Sequence, residues 1–109
     1  MIELTKENFE EEVLKSEKPV FVDFWGDKCE ICKQLMPGVH GLEEKFGEKI
    51  KFASLNISTA RRLAIAQRVL GLPTMIIYKD GEKARTITPD KISSLEDVES
   101  FIKETCDSL

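Results

Sequence analysis

Pro19-Val20-Phe21-Val22-Asp23-Phe24-Trp25-Gly26-Asp27-Lys28-Cys29-Glu30-Ile31-Cys32 places a nearly continuous apolar run directly before a closely spaced pair of cysteines. A run this apolar, with β-branched and aromatic residues throughout, reads as a strand covered on both faces rather than one half-exposed to water. After the cysteines the period changes. Leu35, Val39, Leu42 and Phe46 recur at helical spacing, which predicts a helix from about Cys29 to Phe46. Pro37 lies in its interior, where it removes a backbone hydrogen bond and crowds the carbonyl four residues back, so a kink is expected there.

Working outward, Ile50 to Ile57 reads as a second strand, and Ser58 is placed to cap a helix carrying Leu63, Ala66 and Leu70. Strand, helix and strand in that order make a parallel crossover. Thr74 to Lys79 and Lys83 to Thr88 are then two β-rich runs joined across Asp80-Gly81, a strong hairpin signal. Ser94 followed three residues on by Asp97 resembles a capping box and opens a last helix with Val98, Phe101, Ile102 and Cys106 on its apolar face. Upstream of the first quoted run, a short apolar start at Ile2 to Leu4 leads to Thr5, a cap for a helix over Lys6 to Ser16, with Leu4 and Phe9 placed as a hydrophobic staple. The expected order is β-α-β-α-β-β-α, an α/β fold with a mixed central sheet and helices on both faces.

The chain has 109 residues, 41% of them hydrophobic and 33% charged, and no repeat or linker divides it, so one domain over 1–109 is expected. A domain of this size buries roughly 60 to 70% of its unfolded surface and needs no disulfide staples. Its three cysteines, Cys29, Cys32 and Cys106, are one close pair and one outlier, unlike the framework of a secreted mini-domain. The start of the chain has neither a basic leader nor an apolar run of signal-peptide length, and no stretch approaches a membrane span, so no membrane association and a cytoplasmic location are expected. A net charge of −4 argues against nucleic acid as a partner. The cluster Arg61, Arg62 and Arg68 reads as a solvated helix face.

Cys29 and Cys32, at the strand–helix junction, fall on one helical face with Cα atoms about 5 to 6 Å apart, within disulfide range. Cys29 sits at or near the helix N-cap, where free backbone N–H groups and the positive helix end favour a thiolate. Cys32 lies one turn inside and is less exposed. The roles that follow are nucleophile for Cys29 and resolving thiol for Cys32. A metal site is disfavoured, since the remaining soft ligands are His40 and the distant Cys106, and a closed zinc site needs four.

Over essentially its whole length the sequence resembles the thioredoxin family. The resemblance is carried by Phe21-Val22-Asp23-Phe24-Trp25 leading into Cys29-Glu30-Ile31-Cys32-Lys33, then Pro37, Gly71-Leu72-Pro73-Thr74, and Lys79-Asp80-Gly81-Glu82. It implies a thioredoxin fold and a protein-disulfide reductase that carries electrons through a reversible Cys29–Cys32 dithiol, with no bound cofactor. Disulfide-containing proteins are its implied substrates, and a flavoprotein thioredoxin reductase regenerates it. Pro73 looks like the family's cis-proline facing the dithiol. Asp23 looks like the buried carboxylate behind the second cysteine, its pKa raised by desolvation so that it relays a proton to or from Cys32 through water. Trp25 resembles the indole packed beside the dithiol. The residues expected to meet a substrate are Trp25, Lys28, Glu30, Ile31, Leu72 and Pro73.

The chain also departs from the family. The usual motif is Trp-Cys-Gly-Pro-Cys, whereas here Lys28 precedes the first cysteine and Glu30-Ile31 separates the two. Lys28 favours a thiolate at Cys29 and Glu30 opposes it, while Ile31 adds a backbone N–H and leaves the rim of the site apolar. Ser54 stands where many relatives carry a lysine near the buried carboxylate, and Thr86 to Ser93 lacks a glycine often found along the substrate groove. Such differences leave room for a dedicated partner system, as in a similar small carrier of anaerobic bacteria. Two other readings use the same cysteines: a disulfide oxidant or isomerase, and a non-catalytic binding or metal-bridging module.

Overall fold

A computed structural model describes residues 1–109. Five strands form one mixed sheet in the order β1-β3-β2-β4-β5, with β1 at Ile2–Leu4, β2 at Val20–Trp25, β3 at Lys51–Asn56, β4 at Thr74–Lys79 and β5 at Glu82–Ile87. β2 runs parallel to β3 and antiparallel to β4, and β1 runs parallel to β3. The apolar run that reads as a doubly covered strand is therefore the centre of the sheet.

Because side chains alternate along a strand, β2 feeds two separate cores. Val20, Val22 and Phe24 enter one with Phe9, Val13, Ala64, Val69 and Tyr78. Phe21 enters the other with Leu35, Val39, Phe52, Met75, Phe101 and Ile102. The second core is closed by α1, Glu30–Phe46, and α3, Leu95–Asp107, which are brought close where a Cβ on Gly38 would come within 2.5 Å of Leu95. Each fully buried aliphatic or aromatic side chain contributes roughly 1.5–3 kcal/mol, so both layers hold β2 in place.

From β2 onward the elements follow the expected order, β2-α1-β3-α2-β4-β5-α3, with α2 at Arg61–Ala66. Before β2 the structure departs from it. Ile2–Leu4 is a full strand, held by its parallel ladder to Ala53–Leu55, and is too short to be recognised by alternation alone. The expected helix over Lys6 to Ser16 is reduced to a wide helical turn at Glu10–Leu14, marked by the Lys15 N–H reaching back five residues to the Glu10 carbonyl (3.0 Å). Thr5 nevertheless caps the entry, its hydroxyl accepting from the N–H groups of Glu7 and Asn8, both at 3.2 Å.

Two further expectations need correction. Ser58 does not cap α2, whose N-cap is Ala60 with no side-chain hydrogen bond; a 3-10 turn at Ile57–Thr59 intervenes, capped by Asn56. Leu70 is not on the buried stripe of that helix, which ends at Ala66, and it stands 92% exposed. The apolar contact from α2 comes from Ala64 together with the expected Leu63, while Ala66 is exposed.

Asp80 and Gly81 both adopt positive φ, 54° and 80°, as a two-residue hairpin of the type I′ class requires. A Cβ on Gly81 would stand 2.9 Å from the Leu14 carbonyl oxygen. Asp97 accepts from the backbone N–H of Ser94 at 3.1 Å and of Ser93 at 2.8 Å, so the start of α3 is capped where the sequence places it. No helix is long and apolar enough to cross a membrane.

Gly81→Ala is expected to lower unfolding free energy by about 1–2 kcal/mol, from the left-handed backbone and the contact with Leu14. Urea unfolding with an unchanged m-value would register it as a lower midpoint; an unaltered midpoint would mean that the hairpin turn is not held as described.

Candidate active site

Parallel pairing puts the C-terminal ends of β2 and β3 at the same edge of the sheet, and the residues leaving those two ends build the site. Chain leaving β2 passes through Gly26, where a Cβ would lie 2.9 Å from the Leu72 side chain. The absence of that carbon lets the loop settle against Leu72, whose bond to the buried Pro73 is cis. Beyond Gly26, the Asp27 N–H donates to the Ser58 hydroxyl (3.0 Å), and the Asn56 amide donates to the Asp27 carboxylate (2.8 Å). The Cys29 N–H then donates to the Gly26 carbonyl (3.1 Å). Asn56 and Gly26 are positioning residues that the sequence reading did not single out, and Ser58 is one that it placed as a helix cap. Their signal was available in the parallel pairing, since residues just past β3 must face those just past β2.

Cys29 is the N-cap of α1 and is joined to Cys32 in a disulfide with a Cα separation of 5.3 Å. Its sulfur accepts from the Cys32 N–H at 3.3 Å, the placement expected for a sulfur that gains from the helix start. The two cysteines differ in access: Cys29 is half-buried and Cys32 is 1% exposed. Lys28 and Glu30 are exposed on either side of Cys29, and Ile31 is 39% exposed.

Asp23, at the middle of β2, pairs in register with Ser54 on β3 and Met75 on β4. It is 1% exposed and its Oδ1 has no hydrogen-bond partner. Burial alone pushes its pKa from 3.8 up to about 7; with serine at position 54, no cation offsets the desolvation. Trp25 ends the same strand half-buried, its Nε1 enclosed without a partner.

Two open clefts flank the loop. One, of about 860 Å³, runs beside Cys29 between the 26–29 segment and α2 and includes Ile57, Ser58, Arg61, Ile65 and Leu72. The other, of about 570 Å³, lies on the Trp25 side, with Met36, Pro37, His40 and Ser54. His40 is thus two turns from the dithiol and exposed, while Cys106 is buried in the core formed by α1 and α3. No three of the His, Cys, Asp and Glu side chains gather as a metal cage would require.

Cys29, Cys32, Lys28, Glu30, Ile31 and Leu72 are therefore brought to one edge of the sheet, with the buried Pro73 directly after Leu72. Asp23 lies deeper on β2, and Trp25 stands where that strand enters the loop. A half-exposed sulfur at a helix start, linked to a buried one a turn later, can exchange its disulfide with an external thiol while the second sulfur stays shielded.

A sequence profile described as "Thioredoxin" matches residues 1–104. The chain is 46% identical over 104 residues to a thioredoxin of Acetoanaerobium sticklandii, covering 95% of this chain and 98% of that one. It is 43% identical over 102 residues to a thioredoxin of Peptoclostridium acidaminophilum, covering 94% and 92%, and 36% identical over 101 residues to one of Rhodospirillum rubrum, covering 93% of each. Similarity of this extent, on the sheet order and dithiol placement just described, means that the chain belongs to the thioredoxin family and is a thiol–disulfide oxidoreductase with Cys29-Glu30-Ile31-Cys32 as its redox centre.

Proposed function

We propose that this chain works as a single-domain cytoplasmic reductase of protein disulfides, with Cys29 as the attacking sulfur and Cys32 as the resolving one. The Cys29 thiolate attacks a substrate disulfide; one S–S bond breaks, a mixed disulfide forms, and the departing thiolate takes a proton. Cys32 gives up its proton and attacks the Cys29 sulfur, releasing the second substrate thiol and leaving the intramolecular disulfide. Two electrons have passed to the substrate, and a flavoprotein thioredoxin reductase returns them. The observation that carries the assignment is the unequal exposure of the two cysteines, half-buried against 1% exposed, together with the N–H that the Cys29 sulfur accepts.

Asp23 is the group we assign to proton transfer with Cys32. A carboxyl held near pKa 7 by burial is suited to proton exchange at neutral pH, since proton transfer is most efficient when the catalytic pKa lies near the working pH. Trp25, Lys28, Glu30, Ile31, Leu72 and Pro73 form the surface that we assign to substrate. Support comes from the exposure of Lys28, Glu30 and Ile31 around the attacking sulfur and from the contact of Leu72 with the loop at Gly26.

The test of the roles is trapping. Cys32→Ser is expected to leave substrate proteins covalently held through Cys29, and Cys29→Ser to hold none; a reversed pattern would exchange the two assignments. The direction of electron flow is read from the potential of the Cys29–Cys32 couple against glutathione, where a value above about −200 mV would overturn the reductase reading, ordinary thioredoxin lying near about −270 mV.

Asp23 gives a prediction with a defined sign. At pH values between 3.8 and about 7 the folded carboxyl keeps a proton that the unfolded one has lost, so its contribution is most favourable in acid and is lost as pH rises through about 7. Asp23→Asn should therefore stabilise the protein at pH 8 by roughly 3 kcal/mol, with a smaller gain at pH 5. The same variant should resolve mixed disulfides about tenfold more slowly. Equal stability of the two proteins at both pH values would show that the carboxylate is not desolvated.

A further inference from the structure

Ile57 to Tyr78 contains three arginines, Arg61, Arg62 and Arg68, and no aspartate or glutamate, within a chain whose net charge is −4. All three are exposed, and none takes part in any ion pair of the protein. Arg61 and Arg62 also occupy the first turn of α2, the end of a helix where the backbone dipole disfavours cations. Nothing within the fold stabilises these charges, so a solvated helix face leaves their concentration here unexplained.

The position of Arg61 gives a reason, with Arg62 beside it on α2 and outside the groove lining, as Arg68 is. Arg61 and Lys28 line the groove that opens beside Cys29. The one acid in that lining, Asp27, already has its carboxylate engaged by the Asn56 amide at 2.8 Å, and Glu30 lies outside the lining, on α1. The same groove is apolar along Ile57, Ile65 and Leu72, and Ile65 is 66% exposed there, with Leu70 close by in sequence at 92%. An apolar groove with an exposed Ile65, bordered by Lys28 and Arg61 that take part in no ion pair, has the make-up of an interaction surface.

We propose that the groove between the 26–29 loop and α2 selects protein partners that carry carboxylates and an apolar side chain beside the cysteine that reacts with Cys29. The apolar side chain is seated against Ile57 and Ile65, and the carboxylates face Lys28 and Arg61, with Arg62 adding its charge from the next position of α2. This rests on the reading of Cys29 as the attacking sulfur and adds to it a partner of defined charge. Each exposed pair contributes little alone, but several cations of one sign act together on the rate of encounter and lose that effect as salt shortens the Debye length.

The experiment uses the full chain, pre-reduced, and symmetric disulfide dimers of three short peptides with the same apolar residue and with glutamate, glutamine or lysine flanking the cysteine. Each rate is divided by the rate for the same peptide with dithiothreitol, which removes differences in intrinsic reactivity. At low salt the glutamate peptide should be reduced about tenfold faster than the lysine peptide, with glutamine between, and the gap should close to about twofold at half-molar salt. The double variant Arg61→Gln/Arg62→Gln should shrink the low-salt ratio to about threefold. Equal rates, a preference for lysine, or a ratio that survives both salt and the double variant would overturn the proposal. A neutral small disulfide, hydroxyethyl disulfide, run in parallel separates the two levels: if the protein fails to reduce it, the reductase reading falls and this inference falls with it, whereas reduction without charge preference overturns the inference alone.

Discussion

Everything at the site depends on β2 being hydrogen-bonded along both edges and covered on both faces. A strand with β3 on one side and β4 on the other, and a packed core above and below, cannot shift its register without moving side chains from one core into the other. The loop that leaves it therefore starts from a defined point and direction. Gly26, Asp27 and Cys29 are held by Leu72, Ser58 and the Gly26 carbonyl in turn, and the first turn of α1 begins with the Cys29 sulfur already at its cap.

The same constraint sets the electrostatics. An aspartate in the middle of a doubly covered strand is withdrawn from bulk solvent, and Asp23, 1% exposed, is held at a pKa of about 7 by that burial. A carboxylate in this position would be costly if it were only structural, because a neutral side chain of the same shape would avoid the desolvation. Cys29 experiences the opposite environment, a helix start with an N–H directed at its sulfur. One element thus raises a proton affinity at its centre and delivers, from its end, a sulfur that accepts a backbone N–H.

The dithiol and the groove beside it are drawn from different parts of the fold. The dithiol and the buried carboxyl come from β2 and the start of α1, whereas the groove beside Cys29 is completed by residues after β3 and on α2. Residues such as Arg61 and Ile65 can therefore differ between chains with little effect on the packing of β2, since both are exposed.

Much of this was legible along the chain because it follows from local rules. The continuous apolar run, the dithiol at the strand–helix junction, the Asp80-Gly81 turn and the Ser94–Asp97 cap are each decided by a few adjacent residues with limited conformational options. The elements that were misread are those whose form depends on distant partners. Ile2–Leu4 is a strand only because β3 offers a free edge, and the segment after Thr5 is drawn from a regular helix into a wide turn whose Phe9 and Val13 enter the core beneath β2. Likewise Ser58 reads as a helix cap in isolation but reaches the loop after β2 instead. Sequence by itself determined the secondary-structure order from β2 onward and the identity of the redox pair, through periodicity and spacing. Only the tertiary structure decided how deeply Asp23 is buried, how far the two cysteines differ in exposure and which cations border Cys29, because burial and proximity are properties of packed surfaces and not of neighbouring residues.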